Sequence, residues 1–76
     1  MMRRAGRVTG IAQGVAVLRA EGDEVPEIGE TVVDDRLDEV GTVVDVFGPV
    51  GRPYVAVSPT EGIDSPGLLS SVLYVR

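Results

Sequence analysis

Short runs rich in Val, Ile and Thr recur along the chain, broken every few positions by Gly, Pro or clustered charge. Helix formers such as Leu and Ala are few and scattered. β-Branched residues in short punctuated runs predict an all-β domain. The first strand is predicted over Gly6 to Ala12. Gln13-Gly14 makes a tight turn, where Gly tolerates positive φ. Val15 to Ala20 returns as the second strand. The acidic stretch Glu21 to Glu30 carries Pro26 and Gly29 and reads as a loop. A third strand covers Thr31 to Asp34, and Asp35-Arg36-Leu37-Asp38 is a polar turn.

Val40 to Phe47 is the strongest strand signal. Gly48 to Pro53 contains two Gly and two Pro and stays out of any ladder. Tyr54 to Val57 is the fifth strand, Pro59 to Pro66 a loop, Gly67 to Ser71 one helical turn, and Val72 to Val75 the last strand. Six short strands in one domain spanning residues 1–76 predict a small closed β-barrel, which also removes exposed sheet edges.

The Val40–Phe47 strand departs from simple alternation. Strict period two puts Val40, Thr42, Val44 and Val46 on one face and Gly41, Val43, Asp45 and Phe47 on the other. Both faces are largely apolar. Either the barrel covers both, or one face meets a partner. The following segment, Phe47-Gly48-Pro49-Val50 with Pro53-Tyr54, is the densest cluster of large apolar and rigid residues. Pro49 and Pro53 fix φ and lower the entropy of the loop, so it loses little freedom on binding. A docking surface and a barrel corner plugged by Phe47 both fit this composition.

Composition narrows the chemistry. At 76 residues, a domain buries only about 60% of the surface its unfolded chain exposes. The core is thin, and a partner covering apolar surface would help. The chain has no Cys, no His and no Lys. Disulfides, Cys-based zinc sites, Schiff bases, Ser-His relays and Cys nucleophiles are all out of reach. No cofactor is expected.

Asp45 among apolar neighbours is a lone carboxylate. It is expected to pair with an Arg or accept backbone N–H groups rather than act in catalysis, since no second acid or base is visible nearby. Asp34, Asp35, Asp38 and Glu39 lack EF-hand spacing and read as a solvated acidic turn rather than a cation site. Net charge is -5, with 12 acids against seven Arg. Such a surface disfavours sequence-independent binding to phosphate. Arg3, Arg4 and Arg7 form a small basic end read as surface charge. Abundant acids without Lys point to a salty cytoplasm, where screening relieves self-repulsion. The charged start Met1-Met2-Arg3-Arg4 precedes no apolar run, so a cytoplasmic protein is expected.

The stretch Gly41-Thr42-Val43-Val44-Asp45-Val46-Phe47-Gly48-Pro49-Val50, followed by Pro53-Tyr54-Val55-Ala56-Val57 and Pro59, resembles the glycine/arginine-rich-type (Gar) subunit of archaeal H/ACA ribonucleoproteins. Arg7-Val8, Ile11, Val17-Arg19 and Leu73-Tyr74-Val75 extend the resemblance over nearly the whole chain. It implies a six-stranded barrel of the reductase/isomerase/elongation-factor type. It implies docking on the catalytic domain of the guide-RNA pseudouridine synthase, help with substrate RNA loading and release, and only indirect contact with guide and substrate RNA. On this resemblance, Phe47, Gly48, Pro49, Val50, Pro53 and Tyr54 lie at or support the synthase interface, with contributions from Val44 and Val46. The isolated chain is expected to self-associate weakly through the same patch. Val33-Asp34-Asp35 and Val40 to Val46 are similar also to a PRC-type barrel, an adaptor domain in ribosome maturation, which does not call for the Gly-Pro-Val and Pro-Tyr elements.

Overall fold

The computed structural model describes residues 3–21 and 25–76. Residues 22–24, within the acidic loop read from the sequence, and Met1-Met2 lie outside the described residues. Six strands form: β1 Arg3–Ala12, β2 Val15–Ala20, β3 Thr31–Val33, β4 Glu39–Phe47, β5 Tyr54–Pro59 and β6 Val72–Val75. A single 3₁₀ turn, Ser65–Leu68, precedes β6. All pairings are antiparallel, and the order β1-β2-β5-β4-β3-β6 closes through β6 onto β1. The all-β fold is a closed six-stranded barrel.

The hairpin at Gln13-Gly14 has positive φ at both positions, 53° and 79°. This matches the twist that a two-residue loop needs to join β1 to β2. Several element bounds differ from the sequence reading. β1 begins at Arg3 rather than Gly6, because Arg3 and Arg4 pair with Val75 and Tyr74 across the closing seam. β5 runs on to Pro59, which pairs with Gly41. β3 stops at Val33, since the Asp34 carboxylate turns to accept the N–H groups of Arg36 and Asp38 at 2.9 and 3.0 Å. The helical turn lies at Ser65–Leu68 rather than Gly67–Ser71. Pro66 near its start supplies a pre-set φ, and Ser70 and Ser71 are used to bond Val8 of β1.

The interior is narrow and filled by small branched side chains. Leu18 and Leu73, both fully buried, are its largest members, surrounded by Val8, Val32, Val43, Val55, Val57 and Val75. A barrel of few strands has room for little more than Val-sized groups. Each such burial contributes roughly 1.5–3 kcal/mol. No polar side chain is buried among the described residues.

Strict alternation fails in β4, for a geometric reason. Two irregularities interrupt its ladders: one between Val32 and Val33 of β3 against Gly41 and Glu39, the other between Val43 and Asp45 against Val57 and Ala56. Each gives β4 an extra residue, which resets the in-out phase. Val40, Gly41 and Val43 are buried, Val46 is half-buried, and Val44, Asp45 and Phe47 face outward. The two-face partition read from the sequence is therefore corrected. Val40 and Val43, assigned to opposite faces, both turn to the core, while Val44 and Asp45, likewise assigned to opposite faces, both turn outward.

Candidate protein-docking surface

The second bulge sets up the outer face of β2, β5 and β4. With Val44 as the extra residue, Val44 and Asp45 both point away from the core. The register then places residues from all three strands in rows. Arg19 pairs with Tyr54, and Tyr54 with Phe47; Val17 pairs with Ala56, and Ala56 with Asp45. Backbone bonds from Gly29 N–H to the Val43 carbonyl and from Val43 N–H to the Glu30 carbonyl lay the 27–30 loop beside β4. Ile28 in this loop is exposed.

Large apolar side chains remain in water here. Val44 is 46% exposed, Phe47 44% and Val50 99%. Phe47 does not plug the barrel end. Its ring stacks on Tyr54 with centroids 5.6 Å apart and planes 24° from parallel. Gly48 has φ 93° and lies against the Tyr54 ring, where an added Cβ would stand 3.0 Å from Cδ2. Glycine at this corner thus allows both the left-handed turn and the close ring approach.

The 48–53 loop is pinned at its far end. Arg52 N–H bonds the Pro49 carbonyl at 3.2 Å, Ala20 N–H bonds the Pro53 carbonyl at 2.9 Å, and Arg52 Nε donates to the Ala20 carbonyl at 3.3 Å. Pro49 and Val50 are exposed on this loop, whereas Pro53 is buried. The eight residues singled out from the sequence therefore divide. Val44, Phe47, Gly48, Pro49 and Val50 present surface. Tyr54 is half-buried, and Val46 and Pro53 lie beneath, supporting it. Arg19, Val17 and Ala56 belong to the same face and were missed. They sit far away in sequence, and only strand pairing brings them in.

Arg19 lies with its guanidinium carbon 4.7 Å from the Tyr54 centroid, and its Nη1 donates to the Tyr54 hydroxyl at 2.9 Å. Its buried Nε has no acceptor among the described residues, a cost of about 1–3 kcal/mol against the gains of the stacked contact.

The remaining candidates are structural. Asp45 is exposed, and its Oδ1 accepts the Val46 N–H at 2.8 Å, which steadies the bulge. Arg3 and Arg4 form ion pairs with Glu30 and Glu21, at 2.5 and 2.7 Å. Arg7 donates to the Ser70 carbonyl. A cavity of about 450 Å³ between the Asp34–Arg36 turn and the residues around β6 is lined by Leu68, Val72 and Tyr74 among others. The Asp34 carboxylate there is taken up by its own turn. Among the described residues, no group of three or more Asp or Glu stands together as a metal site. No helix among them is long and apolar enough to cross a membrane.

Comparison with known proteins places this geometry in a family. A solved structure described as the Gar1 domain of Naf1 superposes with a TM-score of 0.76, covering 99% of this chain and 81% of that one at 14% identity. At that identity the likeness concerns the fold. An uncharacterized protein of Methanothermobacter thermautotrophicus is 25% identical over 63 residues, 83% of this chain and 67% of that protein. A family model described as the Gar1/Naf1 RNA binding region matches residues 2–74. With all but a few residues matched, this chain belongs to the Gar1/Naf1 family.

Proposed function

We propose that this chain is a non-catalytic protein subunit of the H/ACA guide-RNA pseudouridylation particle. It docks on the catalytic domain of the pseudouridine synthase and assists loading and release of substrate RNA. Gar1/Naf1 proteins are accessory components of ribonucleoproteins rather than enzymes. The observation that carries the docking reading is the pinned apolar corner with Phe47 and Val50 in water. A rigid apolar patch on an otherwise acidic chain is the kind of surface that a protein partner covers. A modest interface of about 600–800 Å² per partner fits on it.

Direct RNA binding is the second reading, favoured by the family's own description. Charge opposes it. The net charge is -5, and Arg3 and Arg4 at the basic end are already ion-paired. Phosphate contacts would have to compete with those carboxylates. The test mixes the purified chain with the synthase of the same organism and, separately, with guide RNA. Co-elution with the synthase and no filter retention of RNA at moderate salt is the expected result. Retention of RNA by the chain alone, with no synthase complex, would overturn the docking reading.

The acidic, Lys-free surface belongs, on this reading, to a salt-rich cytoplasm. Screening lowers the self-repulsion of 12 acids. The melting temperature is expected to rise between low and molar salt. A salt-independent melting temperature would remove the halophilic part of the proposal.

A further inference from the structure

The row Arg19–Tyr54–Phe47 contains a device that the exposed patch alone does not account for. Tyr54 sits on β5, between β2 and β4. Arg19 reaches it from one neighbouring strand and Phe47 from the other. The guanidinium meets the ring as a cation, 4.7 Å from its centroid, and also bonds its hydroxyl at 2.9 Å. Two contacts at different points of one ring restrict both its tilt and its swing. Phe47 then stacks on a ring held at two points.

We propose that Arg19 is a positioning residue for the docking surface: acting through Tyr54, it holds the exposed Phe47 ring in the orientation that the partner meets. The consequence for binding rests on the docking reading above. The restraint itself is a property of the free chain.

Three observations support this role. Arg19 leaves its Nε buried without an acceptor among the described residues. A long, charged side chain at a barrel surface normally turns outward and is hydrated, so its inward placement over the ring is held by the stack. Arg19 also makes no ion pair with any described residue, although Arg3 and Arg4 both find carboxylates. Its side-chain hydrogen bond and its ring contact both go to Tyr54. Finally, the corner is stiffened from its other side by Pro49, Pro53 and the Arg52–Ala20 bond. Backbone stiffness without ring stiffness would leave Phe47 free to rotate. Immobilising such a side chain on binding weakens affinity by about twofold to tenfold.

Arg is the residue suited to this position. Its planar group stacks on a ring and donates in the same plane, whereas Lys offers a point charge. Arg19→Gln keeps a polar side chain of moderate length but removes both the cation and the flat guanidinium.

The test combines two measurements on Arg19→Gln and Arg19→Lys. Phe47 is the only Phe, so selective labelling gives an unambiguous NMR readout of its ring. In Arg19→Gln, the Phe47 ring resonances are expected to move toward those of an exposed, averaging Phe, and cross-peaks to the Tyr54 ring to weaken. Synthase affinity is expected to fall about twofold to tenfold, with Arg19→Lys intermediate. In a Phe47→Leu background, which has no ring to orient, Arg19→Gln should change affinity by less than about twofold.

Unchanged Phe47 resonances in Arg19→Gln would overturn the proposal. So would an Arg19→Gln loss of the same size in the Phe47→Leu background, which would make Arg19 a direct partner contact. If the wild-type chain fails to bind the synthase, the docking reading falls, and the NMR measurement still decides the restraint.

Discussion

Gly41→Ala is expected to lower the melting temperature of the barrel by about 12–24 °C, a loss of about 3 kcal/mol. Gly41 sits on β4 opposite Pro59, where β5 passes very close. A Cβ at this position would lie 2.3 Å from the Ser58 carbonyl oxygen, 2.8 Å from Val57 Cγ1 and 3.0 Å from the Ser58 carbonyl carbon. The nearest obstacle is backbone, which cannot rotate away like a side chain. Relief requires β4 and β5 to separate, and the Val43–Val57 and Thr42–Ser58 pairs are next in the ladder. A domain this size holds only about 4–11 kcal/mol in all, so one methyl group would remove a large share. Gly51→Ala is the control, because a Cβ there meets nothing within 4 Å. It should shift stability by no more than about 0.5 kcal/mol. Thermal unfolding followed by circular dichroism decides, and a Gly41→Ala midpoint within about 3 °C of wild type would contradict the close-approach account.

Phe47→Ala should weaken synthase binding by about 30-fold to 1,000-fold while leaving a folded barrel. Phe47 is exposed, as are Val44 on the same strand and Val50 in the loop that follows. Large aromatic side chains in such positions tend to dominate interface energetics. The cost to folding is smaller, because the ring is already 44% exposed. Losing the Tyr54 stack removes about 0.5–1.5 kcal/mol, a drop of some 2–12 °C at about 4–8 °C per kcal/mol. Val50→Asp tests the same face with no folding cost to confuse it, since Val50 is 99% exposed. A carboxylate there would be desolvated in a complex without a partner of its own. Co-elution and calorimetry with the synthase give the readout. Wild-type affinity in both variants would move the interface elsewhere on the barrel.

Much of this molecule is written locally. β-Branched runs, the Gln13-Gly14 turn and the Pro- and Gly-rich 48–53 segment act over a few residues, and each appears in the structure near its expected place. The class of fold and the number of strands follow from them. The stiff apolar corner after β4 was legible for the same reason: proline restricts φ, and a Phe beside Gly and Pro is visible without knowing its neighbours.

Strand phase and cross-strand company were not legible. Whether Val44 or Val46 faces water depends on one extra residue in β4, and a bulge is fixed by pairing with β5 rather than by the sequence of β4. The same holds for Arg19. Nothing near it in sequence marks it out, and it gains a role only because barrel order sets β5 between β2 and β4, so that Tyr54 lies between Arg19 and Phe47. Local preferences are set by steric and turn energies within a few residues, while register and neighbours are set by closing all six ladders at once, which only the tertiary structure decides.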